Sequence, residues 1–107
     1  MSLSFERAVK LRVGKQAQRQ ATRIEQWWAK HRPAAGPFFT DELERTFRLL
    51  CEVPGAGVRW PTAQRPKLRR VLMPNTGNHV YFHVDEATQT VHVLAVWGAP
   101  RGRGPRL

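Results

Sequence analysis

The sequence has 107 residues, with 18 Lys+Arg against 8 Asp+Glu, a formal charge of +10 and one cysteine. A chain of this length makes one domain that buries roughly 60–68% of its unfolded surface, which excludes a second domain and a deep cavity for a large cofactor. Lone Cys51 excludes an intramolecular disulfide and a cysteine-rich zinc site, and no apolar run approaches the roughly 18 residues that a membrane span needs.

Along the chain, Glu6, Arg7, Lys10 and Arg12 occupy the stretch that a signal peptide would keep apolar, so a cytoplasmic protein with no membrane partner is expected. In residues 7–13, Val9, Leu11 and Val13 alternate with Ala8, Lys10 and Arg12, the period of a half-buried strand, and Gly14 ends it. The period then changes. Ala17, Ala21, Ile24 and Trp28 form one stripe of a helix over residues 15–31, closed by Pro33. Trp28 is on the core stripe, whereas Trp27 lies about 100° away and is expected to pack under the second helix. Residues 33–37 are a turn. Phe39, Leu43, Phe47 and Leu50 make a second helical stripe, with Thr40 as its expected N-cap, Asp41 and Glu42 at the positive end of its dipole, and Pro54 and Gly55 stopping it. Cys51, among Leu49, Leu50 and Val53, is read as a small packed residue.

Residues 55–66 carry two Gly and two Pro and read as a loop. Three strands follow, at 67–73, 79–84 and 90–97, joined by turns at 74–78 and 85–89 that are too short for parallel crossovers. The order is β-α-α-β-β-β, an α+β fold with the helical hairpin on one face of a small, mostly antiparallel sheet, the first strand at an edge and the other face at least partly open. Residues 1–98 read as the domain. Residues 99–107, rich in Gly, Pro and Arg, read as a basic tail ordered only by a partner.

The charge is steeper in the C-terminal half of the chain. Residues 53–107 hold 8 basic and 2 acidic residues, the acids being Asp85 and Glu86. Such a field draws phosphate backbones or an acidic protein. Alternation puts Lys67, Arg69 and Val71 on one strand face and Arg70 on the other, with Arg65, Arg101 and Arg103 joining if the tail returns over the sheet. The cluster is read either as a phosphate-binding patch or as edge-strand charge that blocks sheet-to-sheet aggregation. His79, Tyr81 and His83 share the opposite face from Val80, Phe82 and Val84. That row suits proton transfer or base stacking, or is simply a half-wet sheet face. His92 is placed with Leu94 and Val96 on the last strand. Trp97 beside Arg101 and Arg103 is either a binding pair or a cap on the core. Paired carboxylates, metal-ligand spacing and a glycine-rich phosphate loop are all missing from the sequence, so no cofactor or metal is expected and a catalytic set is not evident.

Several stretches in this order carry a resemblance: Trp27-Trp28-Ala29-Lys30-His31-Arg32-Pro33, Phe38-Phe39-Thr40-Asp41-Glu42-Leu43, Pro54-Gly55-Ala56-Gly57, Arg69-Arg70-Val71-Leu72, Val80-Tyr81-Phe82-His83-Val84-Asp85, and Val91 to Gly98 followed by Arg101-Gly102. Together they resemble the RelE/ParE superfamily of toxins from bacterial type II toxin–antitoxin systems. The resemblance implies a growth-arresting toxin held by an acidic antitoxin protein in a hetero-oligomer. One branch of the family inhibits DNA gyrase; the other cleaves messenger RNA on the ribosome. The Trp-Trp and Arg-Pro features of the first helix resemble the gyrase-directed branch, and the tail carries no Tyr or His where the ribonucleases usually place one. The expected target-binding residues are Arg69, Arg70, Tyr81, Trp97, Arg101 and Arg103. Under the ribonuclease alternative the candidates are Lys67, Arg69, Arg70, His79, Tyr81 and His83. A non-toxic, basic nucleic-acid-binding module is the third reading, supported by charge alone.

Overall fold

The computed structural model describes residues 10–98 and 104–107. The elements run β1 (Lys10–Val13), α1 (Lys15–His31), a 3-10 turn (Pro33–Ala35), α2 (Phe38–Glu52), β2 (Val58–Arg59), β3 (Arg69–Met73), β4 (Asn78–Asp85) and β5 (Thr90–Gly98). This is the α+β arrangement that the periodicities predict, with three differences. Residues 7–9 of the first predicted strand lie outside the described residues. Lys67 sits in a turn before β3 rather than in the strand, and the predicted loop contains β2.

The two helical stripes form as expected. Ala17, Ala21, Ile24 and Trp28 of α1, and Phe39, Leu43, Phe47 and Leu50 of α2, all join one core cluster. Thr40 does not cap α2. The helix starts three residues earlier, at Phe38 with Pro37 in the cap position and no side-chain cap, just after the 3-10 turn. The Thr40 hydroxyl instead donates to Glu25 Oε2 on α1 at 3.2 Å, tying the two helices together.

The sheet order is β1-β5-β4-β3-β2; β1 is parallel to β5 at one edge, and every other pairing is antiparallel. Paired residues share a face, so the register assigns both faces directly. Met73, Val80, Phe82, Val91, Val93 and Val96 face the helices. Arg70 opposite Tyr81, Leu72 opposite His79, His79 opposite Trp97, and His83 opposite His92 face the other way.

A β-bulge corrects one assignment. The β4–β5 register shifts between Tyr81 and Phe82, so Tyr81 pairs with Ala95 and Phe82 with Val93. Leu94 is the extra residue, and the phase of β5 changes there. Val96 therefore turns to the helix core, while His92 joins His83 on the opposite face. Strand β1 ends opposite Val93, and past that point the Gln20 side chain of α1 takes the Val96 amide at 2.8 Å.

Buried Glu42 fixes the β3–β4 turn. Its carboxylate accepts from the Asn75 and Thr76 amides and from the Thr76 hydroxyl at 2.7–3.0 Å. Buried carboxylates need such partners, and this one holds a turn 33 residues away in sequence. Among the described residues, no helix is long and apolar enough to cross a membrane.

Candidate functional site

The sheet face turned away from the helices carries a second, smaller cluster built from Leu68, Tyr81 and Ala95, with Leu94, Trp97 and Leu107 packed against it. Around this cluster lie the charged and aromatic side chains that the sequence singles out. Neighbouring Arg69 and Arg70 separate onto opposite faces. Arg69 points to the helix side and donates to the carbonyls of Gly55 at 2.8 Å and Gly57 at 3.2 Å, with a longer contact to Ala56. It is a clamp on the α2–β2 connection. Arg70 is on the exposed side. Its guanidinium lies 3.5 Å over the Trp60 ring, and its Nη1 donates to the Tyr81 hydroxyl at 3.3 Å.

The backbone forces this arrangement. Gly57 has φ +80°, and a Cβ there would come within 2.3 Å of the Arg70 carbonyl oxygen. Only glycine lets the loop approach β3 so closely. Val58 and Arg59 then pair with Arg70 and Arg69, and the Trp60 amide donates to the Leu68 carbonyl at 2.8 Å. Trp60 is thereby laid along the sheet edge, flat against Arg70 and 44% exposed. Cation–π stacking on one side and a hydrogen bond on the other hold the guanidinium plane in place, leaving further N–H donors for an anionic partner.

His79, Tyr81 and His83 share this face, as the alternation requires. Tyr81 is 3% exposed, with His79 beside it at a ring separation of 6.2 Å. His83 stacks on His92 at 4.9 Å. Partial burial, and after it the Arg70 charge, pushes the His79 imidazole below its ordinary pKa. Burial also leads for His83, followed by His92, Arg65 and, more weakly, Lys67, with Asp85 opposing. Both imidazoles are therefore neutral at neutral pH. Asp85 Oδ1 is engaged by the Ala87 and Thr88 amides of the β4–β5 turn. The Nε of Arg65 is buried and has no hydrogen-bond partner among the described residues. Trp97 lies opposite His79, half-buried. Arg101 and Arg103 fall outside the described residues. Residues 104–107 do return over the face: Leu107 packs on the second cluster, and Gln16 Nε2 donates to the Arg106 carbonyl at 2.9 Å. The expectation of a tail ordered only by a partner is thus corrected over these four residues. Among the described residues, no group of three His, Cys, Asp or Glu side chains could hold a metal.

A second concave surface lies on the helix side. It is a groove of about 880 Å³ lined by Arg23, Ile24, Trp27, Trp28 and Arg32 of the helical segment, and closed by the 76–78 turn and the end of β5. Trp27 is not under α2 as expected. It is 48% exposed, stacks on His31 at 4.7 Å and lines this groove, because α2 meets α1 on the Trp28 side, where Trp28 contacts Phe38. The sequence reading misses Trp60, gives His92 no site role and assigns Glu42 only to the helix dipole. The alternation of Val58 and Trp60 around Arg59 is the one local signal for Trp60; Glu42 and the bulge leave none.

The sequence matches no family model and no curated protein. Solved structures do match the fold. A chain of the chromosomal ParDE toxin–antitoxin system from P. aeruginosa superimposes with a TM-score of 0.70 at 14% identity, over 89% of this chain and 98% of that one. The toxin–antitoxin complex RelBE2 from Mycobacterium tuberculosis gives 0.60 at 16% identity, over 86% and 93%. The isolated E. coli RelE toxin gives 0.55 at 16% identity, over 88% and 87%. The chain has the RelE/ParE toxin fold.

Proposed function

We propose that this chain is the toxin of a type II toxin–antitoxin module, that residues 1–98 are its working domain, and that it arrests growth in the cytoplasm by inhibiting DNA gyrase. The likeness in fold to proteins of the ParDE and RelBE2 systems supports the module. The observation that carries the gyrase reading is the Trp60–Arg70–Tyr81 stack. The one tyrosine of the chain is committed to Arg70 through its hydroxyl, and Arg70 is pinned on two sides. Such a constellation is rigid and cationic and suits recognition, whereas a proton-transfer group has to reach its substrate. In this reading Arg70, Trp60, Trp97 and the tail residues Arg101 and Arg103 meet the target, and Arg69 supports them from behind.

The antitoxin is expected to be acidic and to seat an amphipathic segment in the Trp27 groove. Ile24, Trp27 and Trp28 offer apolar contact there, and Arg23 and Arg32 offer the complementary charge. The resulting hetero-oligomer leaves the toxin inactive.

A ribonuclease reading draws support from a different part of the same face. His83 and His92 are stacked, and His83 is held neutral next to Arg65 and Lys67, a set able to take a proton beside cations that hold phosphate. Two assays separate these readings. Purified protein should block supercoiling by gyrase at stoichiometric concentration. Full supercoiling at saturating protein, together with message cut on translating ribosomes, would replace the gyrase reading with the ribonuclease one.

A further inference from the structure

We propose that residues 104–107 form a strap that covers the target face and has to lift before that face is used. This rests on the toxin reading above and adds its regulation. Trp60, Thr62, Gln64, Leu68 and Tyr81 form one wall of a cleft of about 180 Å³, and Gly104, Pro105 and Leu107 form the other. Leu107 packs onto the Leu68–Tyr81–Ala95 cluster. Gly104 crosses directly over the site, so that a Cβ on it would lie 3.8 Å from the Tyr81 hydroxyl. This strap explains why Tyr81 is buried although it points away from both helices.

The strap is lightly held. Pro105 has no amide proton to give, and the Gln16 bond to the Arg106 carbonyl is exposed. One leucine and one exposed hydrogen bond are opposed by the entropy of ordering four residues, which leaves the strap marginal. The strap also adds exposed Arg106 to a face already carrying Arg65, Lys67 and Arg70. Like charge loosens the strap, and a negatively charged partner gains by displacing it. A face that is open for only part of the time binds its target more weakly by that fraction.

The single tyrosine makes the strap measurable. In protein labelled with 3-fluorotyrosine, one fluorine line reports Tyr81 alone. Two charge-neutral variants loosen the strap: Leu107→Ser removes its anchor, and Gln16→Ala removes its hydrogen bond without altering the tail. The line should move towards its solvent-exposed position in Leu107→Ser and part of the way in Gln16→Ala. Potency in growth arrest, at equal expression, and in gyrase inhibition should rise roughly three- to tenfold in the same order. A line that stays put overturns the strap. A line that moves while potency stays level or falls also overturns the proposal, because the tail then sits on the face without limiting it. Enhanced growth arrest with untouched gyrase keeps the strap and rejects gyrase as the target. Absence of growth arrest in every form removes the toxin reading and the proposed regulation with it.

Discussion

The two faces of the sheet are built from the same strands and hold their side chains in different ways. On the helix side, Val80, Phe82, Val91, Val93 and Val96 are sealed under α1 and α2, and the polar groups at its margins have several partners each: Glu42 accepts three hydrogen bonds, and Arg69 reaches three successive carbonyls. On the other side the apolar cluster is small, Arg70 is held by one ring and one hydroxyl, and four residues of tail supply the cover. Interior packing tolerates little loss, whereas a surface held by single contacts can exchange its own cover for a partner. Stability should therefore reside on one face and function on the other.

Adjacent residues of β4 offer the sharpest way to break that division. Phe82→Ala should cost roughly 3–5 kcal/mol, read from urea unfolding, because Phe82 is fully buried in the larger cluster. Tyr81→Phe, one residue away, should cost only about 0.5–1.5 kcal/mol for the lost bond to Arg70, yet weaken growth arrest. Equal losses of stability in the two variants would show that the faces are not energetically distinct.

Next in size is Gly57→Ala. The added Cβ meets the Arg70 carbonyl in a left-handed backbone, so a loss of about 1–3 kcal/mol is expected, along with displacement of Trp60 from Arg70 that tryptophan fluorescence would register. Gly77→Ala serves as the control. Its φ is also positive, but the space around it is open, so the backbone strain acts there without the collision.

The paired arginines sharpen the comparison further. Arg69→Ala should lower stability by about 1–2 kcal/mol through the freed loop carbonyls and leave the exposed stack in place. Arg70→Ala should change stability by less than about 1 kcal/mol and abolish target binding, measured by supercoiling inhibition. The reverse pattern would put the working surface on the wrong side of the sheet.

The smallest effect is a dependence on pH. His79 and His83 titrate below the ordinary value near 6.5, so as pH falls the unfolded chain takes up protons before the folded one. Their contribution is complete above about pH 6.5 and declines as pH drops from there towards the folded values. The urea midpoint should fall between pH 7.5 and 5.5, and His83→Gln should flatten that fall. A midpoint that rises on acidification would mean that the imidazoles gain an anionic partner in the folded chain.

Much of this fold is legible in the chain itself. The switch at Gly14 from a period of two to a helical stripe, the second stripe from Phe39 to Leu50, and the alternation from His79 to Val84 are all local. Backbone geometry alone turns such spacing into a helix face or a strand face. The pairing of His79, Tyr81 and His83 on the side away from the helices follows from that alternation. The sequence alone determined both helices, four of the five strands, their order and the excess of cation in the half that follows α2. Tertiary structure alone decided that the extra residue of the bulge falls at Leu94, that Arg70 rather than Arg69 lies on the face turned away from the helices, that Trp60 crosses a loop to lie on Arg70, and that Leu107 returns to the sheet. These outcomes depend on which distant segment supplies the contact, through Gly57 passing Arg70, Glu42 holding the 75–76 amides and Gln16 catching the tail. No periodicity along the chain records where a loop will land.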